Sequence, residues 1–121
     1  VTIQPDGTTV EVAPEYGEYM MGRLVWRGHA DDDRRQDVLI RDKEACDAWG
    51  SCPYWLYVAC TGGAYAAAAH IPSAQEVRVT PAKDAAWSAL TARIRIISPQ
   101  ADQIRVEVWQ IGPDGRYAPR E

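Results

Sequence analysis

The clearest pattern in the chain is the run Ile104-Arg105-Val106-Glu107-Val108-Trp109-Gln110-Ile111, in which apolar and polar residues alternate as far as Val108. In a pleated strand successive side chains point to opposite faces, so the run predicts a strand with one buried and one wet face. Shorter stretches of β-branched and aromatic residues predict further strands over 19–26, 37–41, 54–60, 76–80 and 92–97. Turn residues punctuate them. Pro5-Asp6-Gly7, between Val1-Thr2-Ile3 and Thr8-Thr9-Val10-Glu11-Val12, predicts a hairpin. Gly112-Pro113-Asp114-Gly115 does the same between the strand at 104–111 and Arg116-Tyr117-Ala118.

Three segments read as short helices. Residues 42–49 open with acidic side chains that suit a helix N-terminus. Residues 64–70 hold the run Ala66-Ala67-Ala68-Ala69, and alanine has the best intrinsic helix propensity. Thr80-Pro81 resembles an N-cap followed by proline at the first helical position, leading into 82–90 with Ala86, Trp87 and Leu90 as its buried stripe. The connections between strands are too short for parallel crossovers. The expected class is therefore α+β, predominantly antiparallel β with two or three short helices. A small OB-like barrel is one topology that fits and an open sheet is another.

At 121 residues the expectation is a single domain over 1–121, and a 46% hydrophobic share supplies material for its core. The net charge of −4 and the lack of any basic cluster longer than Arg34-Arg35, which abuts Asp31-Asp32-Asp33, argue against a nucleic-acid partner. No apolar stretch reaches the roughly 18 to 20 residues that a membrane-spanning helix needs. A first residue Val1, with no Met and no apolar leader, is what a processed exported chain shows, and a trimmed chain shows it too.

Cysteine spacing sharpens the compartment. Cys46 and Cys52 enclose five residues including Gly50, short enough for a disulfide; Cys46 with Cys60 is the alternative pairing, and three reduced, buried thiols the other reading. A disulfide implies an oxidising location, periplasmic or secreted.

Candidate chemistry is sparse. His29 and Asp31-Asp32-Asp33 form the densest group of hard-metal ligands. Gln36 and Asp42, though, stand where a calcium loop needs its turn glycine and bidentate glutamate. No paired C-x-x-C or H-E-x-x-H serves zinc, so no metal or cofactor is expected. Cys60 and His70 are a conceivable thiol and base, lacking an orienting group in the sequence. Glu15 and Glu18 read as a polar loop after Pro14, and Gly62-Gly63 as a turn without a phosphate-binding pattern.

The segment Val106-Glu107-Val108-Trp109-Gln110-Ile111-Gly112-Pro113-Asp114-Gly115-Arg116-Tyr117 resembles the strand-and-turn segment of intradiol ring-cleavage dioxygenases, in which the matching tyrosine ligates non-haem iron. That family places its second tyrosine and an H-x-H pair downstream of the segment. Here His29 and His70 lie upstream and apart, so the resemblance implies no iron site.

Five Trp and six Tyr stand against no Phe, and Trp49, Tyr54, Trp55 and Tyr57 cluster around the expected disulfide loop. Alternation would put Trp55 and Tyr57 on one face and Tyr54 with Leu56 on the other. If exposed, these rings form a hot spot for a protein or a stacking surface for a surface glycan; if enclosed, they plug one end of the core. The functional expectation is an exported, non-catalytic binding, inhibitor or accessory domain. Two alternatives stand beside it. One is a small enzyme with a dispersed site around His29, His70, Glu18 and Asp31. The other is a structural domain that self-associates into a homo-oligomer.

Overall fold

A computed structural model describes residues 2–3, 5, 7–12, 20–30, 35–42, 45–60, 65–81 and 87–120. Ten strands run through them: β1 (Thr2–Ile3), β2 (Thr9–Val12), β3 (Met20–Gly28), β4 (Asp37–Asp42), β5 (Cys52–Ala59), β6 (Tyr65–Ala74), β7 (Glu76–Thr80), β8 (Ala89–Ile97), β9 (Asp102–Ile111) and β10 (Tyr117–Pro119). They form two antiparallel sheets. One has the order β1-β2-β3-β4-β5-β6 and the other β10-β9-β8-β7, so every ladder joins strands adjacent in sequence. Both expected hairpins pair, β1 with β2 and β9 with β10, and Gly7 and Gly115 take φ of 75° and 79°, a left-handed conformation that glycine adopts without steric strain. Gln75 alone separates the last strand of the first sheet from β7.

The two sheets share the main core. Leu39, Tyr54, Leu56 and Ile71 of the first meet Val77, Leu90, Ala92, Trp109 and Tyr117 of the second, all buried. Enclosing each large aliphatic side chain stabilises by about 1.5–3 kcal/mol. The first sheet is also apolar on its other face, where Val10, Val38, Ile40 and Tyr57 pack with Leu24 and Trp55. Gly22 lets β3 and β4 approach there, since a Cβ at this position would collide with the Ile40 side chain. Polar ties lock the sheets together. The buried Asp37 carboxylate accepts hydrogen bonds from the Ala30 and Ala59 amides, each at 2.9 Å. From Ala30 the tie continues: its carbonyl accepts the Ser88 amide at 2.6 Å, and the Ser88 carbonyl accepts the Tyr117 hydroxyl at 2.6 Å.

These findings replace the α+β expectation with an all-β fold, with no helix among the described residues. The alanine run lies in β6, because cross-strand pairing with β5 and burial of Ala68 and Ala69 outweigh a propensity worth tenths of a kcal/mol per residue. The described residues of the expected helix over 42–49, namely 42 and 45–49, are not helical either. Asp42 ends β4, and 45–50 form a turn held by side-chain and disulfide bonds that compete with helical ones. Residues 82–86 lie outside the described set, and Ala89 and Leu90, at the expected end of that helix, begin β8. The OB-like barrel is corrected too: the two meanders show no closing pair among the described residues.

The alternating run also behaves differently from its pattern. β9 is a strand, but Ile104 and Val106 are 43% and 57% exposed, and burial sets in at Trp109, on the opposite face. The ladders explain this. β7 pairs with β8 only as far as Glu76↔Arg93, and β10 with β9 only as far as Pro119↔Trp109. Beyond those pairs β8 and β9 continue as a two-stranded arm, ending at Ile97↔Asp102.

Candidate functional site

Between β4 and β5 the chain folds into a small loop closed by the Cys46–Cys52 disulfide, while Cys60 remains a free, half-buried thiol. Asp47 organises the interior of the loop. Its Oδ1 accepts the amides of Trp49 and Ser51, both at 2.9 Å, and its own amide donates to the Ser51 carbonyl at 2.8 Å. Such an aspartate mimics a backbone turn and leaves the residues between to point outward. Gly50, at φ 83°, completes the reversal. Gln75, at the corner between the sheets, donates from Nε2 to the Trp49 carbonyl at 3.1 Å, while its own carbonyl accepts the Tyr54 hydroxyl at 3.4 Å. The loop is thus fixed covalently at its base and by hydrogen bonds at its rim, and the Trp49 side chain is 54% exposed.

The arm lies beside it. The Gln75 amide donates to the Arg93 carbonyl at 2.7 Å. Two positions on, Arg95 pairs with Asp102 at 2.9 and 2.5 Å. The paired Asp102 carboxylate holds the Arg95 guanidinium protonated, and the field of Asp47 adds to that hold. Asp102 in turn sits below the ordinary carboxylate range because of this bond. Ile97, near the tip, is 49% exposed.

The four aromatic residues singled out in the sequence do not form one surface. Trp49 is outside, Tyr54 is buried between the sheets, and Tyr57 is buried on the opposite face of the first sheet. Trp55 shares that opposite face, half-buried, as alternation requires. Burial pushes both the Tyr54 and Tyr57 hydroxyls above the usual tyrosine value.

Trp55 has a partner that no local pattern announces. The His70 ring, its direct cross-strand neighbour, stacks on it at 3.8 Å with an 11° interplanar angle. Burial lowers the His70 pKa from its ordinary 6.5. Beside this pair lies a groove of about 350 Å³, lined by Trp55, Ala67, Ala68, Ala69, His70, Arg116 and Tyr117.

The two histidines are not brought together. His29 follows the end of β3 and bonds through Nδ1 to the Arg35 carbonyl at 2.9 Å; His70 lies three strands away across the sheet. The Cys60 thiol donates weakly to the Val58 carbonyl at 3.7 Å. Glu15, Glu18 and Asp31 fall outside the described residues. Tyr117, the residue of the dioxygenase-like segment, spends its hydroxyl on Ser88. Among the described residues no group of three or more His, Cys, Asp or Glu side chains is arranged to hold a metal, and no helix is long and apolar enough to cross a membrane.

Asp37 is the polar residue that sequence reading passed over. It was legible only as the first position of a strand, and nothing local signals that two distant amides converge on it. Comparison with protein-family models, curated proteins and solved structures yields no match, so the functional reading rests on these residues.

Proposed function

We propose that this chain is an exported, non-catalytic recognition domain that docks on a protein or surface glycan through Trp49. One observation carries the reading: a tryptophan more than half exposed at the crest of a loop that is already rigid. Exposing an indole to water has a cost, and fixing the loop beforehand removes the entropy that binding would otherwise lose. Tryptophan is the residue type most enriched among binding hot spots. The disulfide suits a non-reducing compartment, which supports reading the chain as periplasmic or secreted.

The test places a photo-reactive benzophenone side chain at position 49 in the native host, with a second probe at Val25, an exposed position on β3 of the first sheet. Covalent adducts at 49, absent at 25 and lost when Cys46 and Cys52 are both serine, are the expected outcome. Equal labelling at the two positions, or none at 49, would count against the proposal. A parallel count of reactive thiols in denatured, unreduced protein should find one, that of Cys60.

A further inference from the structure

The two sheets have four outer strands, and each carries a feature that discourages pairing with another chain. β1 is two residues long, and β10 is three residues ending on Pro119. β7 presents the Arg78–Glu76 ion pair and runs into Pro81. β6 carries a bulge at Ala68 and a proline, Pro72, but is longer: it has ten residues, pairs with β5 alone among the described strands, and reads Tyr65-Ala66-Ala67-Ala68-Ala69-His70-Ile71 before Pro72. No backbone hydrogen bond outside the ladders engages residues 65–71 among the described residues.

The surroundings of this edge are shaped to receive something. Ala66 and Ala67 are exposed along it, and the 350 Å³ groove runs past Ala67 to the buried Ala68 and Ala69. Trp55 and His70 line it from the first sheet, Arg116 from the β9–β10 turn and Tyr117 from the start of β10. Arg116 is exposed, and its guanidinium has no carboxylate partner among the described residues.

We infer that the open edge of β6 is a strand-addition site for an extended peptide segment carrying an internal Asp or Glu opposite Arg116. Main-chain hydrogen bonds to β6 supply affinity, and alternate side chains of the peptide enter the groove. A guanidinium paired with a carboxylate makes the strong, charge-assisted contact that fixes register. Arg116 stands by the middle of the strand, which selects a side-chain carboxylate within the segment over a chain terminus. A second copy of this chain fits poorly. Antiparallel pairing of two β6 strands about Ala68 would bring two Arg116 guanidinium groups together at the symmetry axis.

The experiment selects a phage-displayed library of random linear heptapeptides on the 121-residue protein with its disulfide intact. Expected winners lack proline, are rich in β-branched residues and hold an internal acid. Their binding, measured by titration calorimetry, should weaken roughly tenfold or more in Arg116→Glu, consistent with loss of one charge-assisted contact. An unchanged unfolding midpoint would show that this variant is folded. N-methylation of the peptide should abolish binding at one alternate set of positions and spare the other, and amide shifts should move at residues 66–70. Trp49→Ala should bind these peptides unchanged, which separates this site from the tryptophan loop. Three results would each overturn the inference. They are no enrichment, binders indifferent to both Arg116→Glu and N-methylation, and a concentration-dependent dimer in light scattering that Ala67→Lys abolishes.

Discussion

A carboxylate shut away from water, as Asp37 is, persists only while its oxygens are fully occupied. Here the occupants are two backbone amides from segments that no strand ladder joins, one after β3 and one at the end of β5. Asp37→Ala leaves both N–H groups without acceptors, and at about 1–3 kcal/mol for each stranded group a loss of about 3 kcal/mol is expected. Urea titration measures it, and a loss below about 1 kcal/mol would mean the two amides find other acceptors. His70 supplies a pH effect whose sign follows from burial. Its folded pKa lies below 6.5, so below that pH the unfolded chain binds the extra proton more readily. Its contribution is fully present above pH 6.5 and is lost as the pH falls through the folded value. His70→Gln should flatten that part of the stability profile relative to the parent; parallel profiles between pH 7.5 and 5 would refute the assignment.

At the scale of elements, β6 shows why alternation alone does not identify every strand. Between Leu56↔Ala69 and Tyr57↔Ala67 the register slips, so Ala68 is an extra residue. Ala68 and Ala69 are in consequence buried side by side, which breaks the period of two. Alanine is small enough to serve either face and intrinsically favours the wrong element, so only the presence of β5 decides. Ala69→Leu is expected to overpack the core and cost about 1–3 kcal/mol, whereas Ala66→Val, on the exposed side, should stay within about 0.5 kcal/mol of the parent. Denaturation midpoints of the two variants check this. The loop that carries Trp49 is an element of the other kind, legible from Cys46, Gly50 and Cys52 because a covalent link is a local property. Opening it with Cys46→Ser and Cys52→Ser together should cost about 2 kcal/mol, the chain-entropy value for so short a ring. The strands at β4, β7 and β9 were legible from β-branched runs bounded by turn residues. The exposure of Ile104 and Val106 was not, because it depends on where β7 and β10 stop.

At the scale of the whole molecule, the sheets are joined by one linking residue and one continuous apolar interior. A core to which both sheets contribute makes it costly for either to open alone. Unfolding should therefore proceed as a single transition, with tryptophan emission and far-ultraviolet dichroism superimposing. Two separated transitions would show that the first sheet, with its second apolar face, holds together independently. The division of candidate surfaces also belongs to this scale. The tryptophan loop sits at the corner between the sheets, and the β6 groove along an edge, on residues that no sequence motif grouped.

The neighbour-only ladders carry a consequence for biogenesis. Within each sheet every strand after the first hydrogen-bonds to the one immediately before it, so a polypeptide delivered from its amino end through a narrow pore can zip up hairpin by hairpin. No early strand is left waiting for a distant mate, and the interval during which sticky backbone lies bare is short.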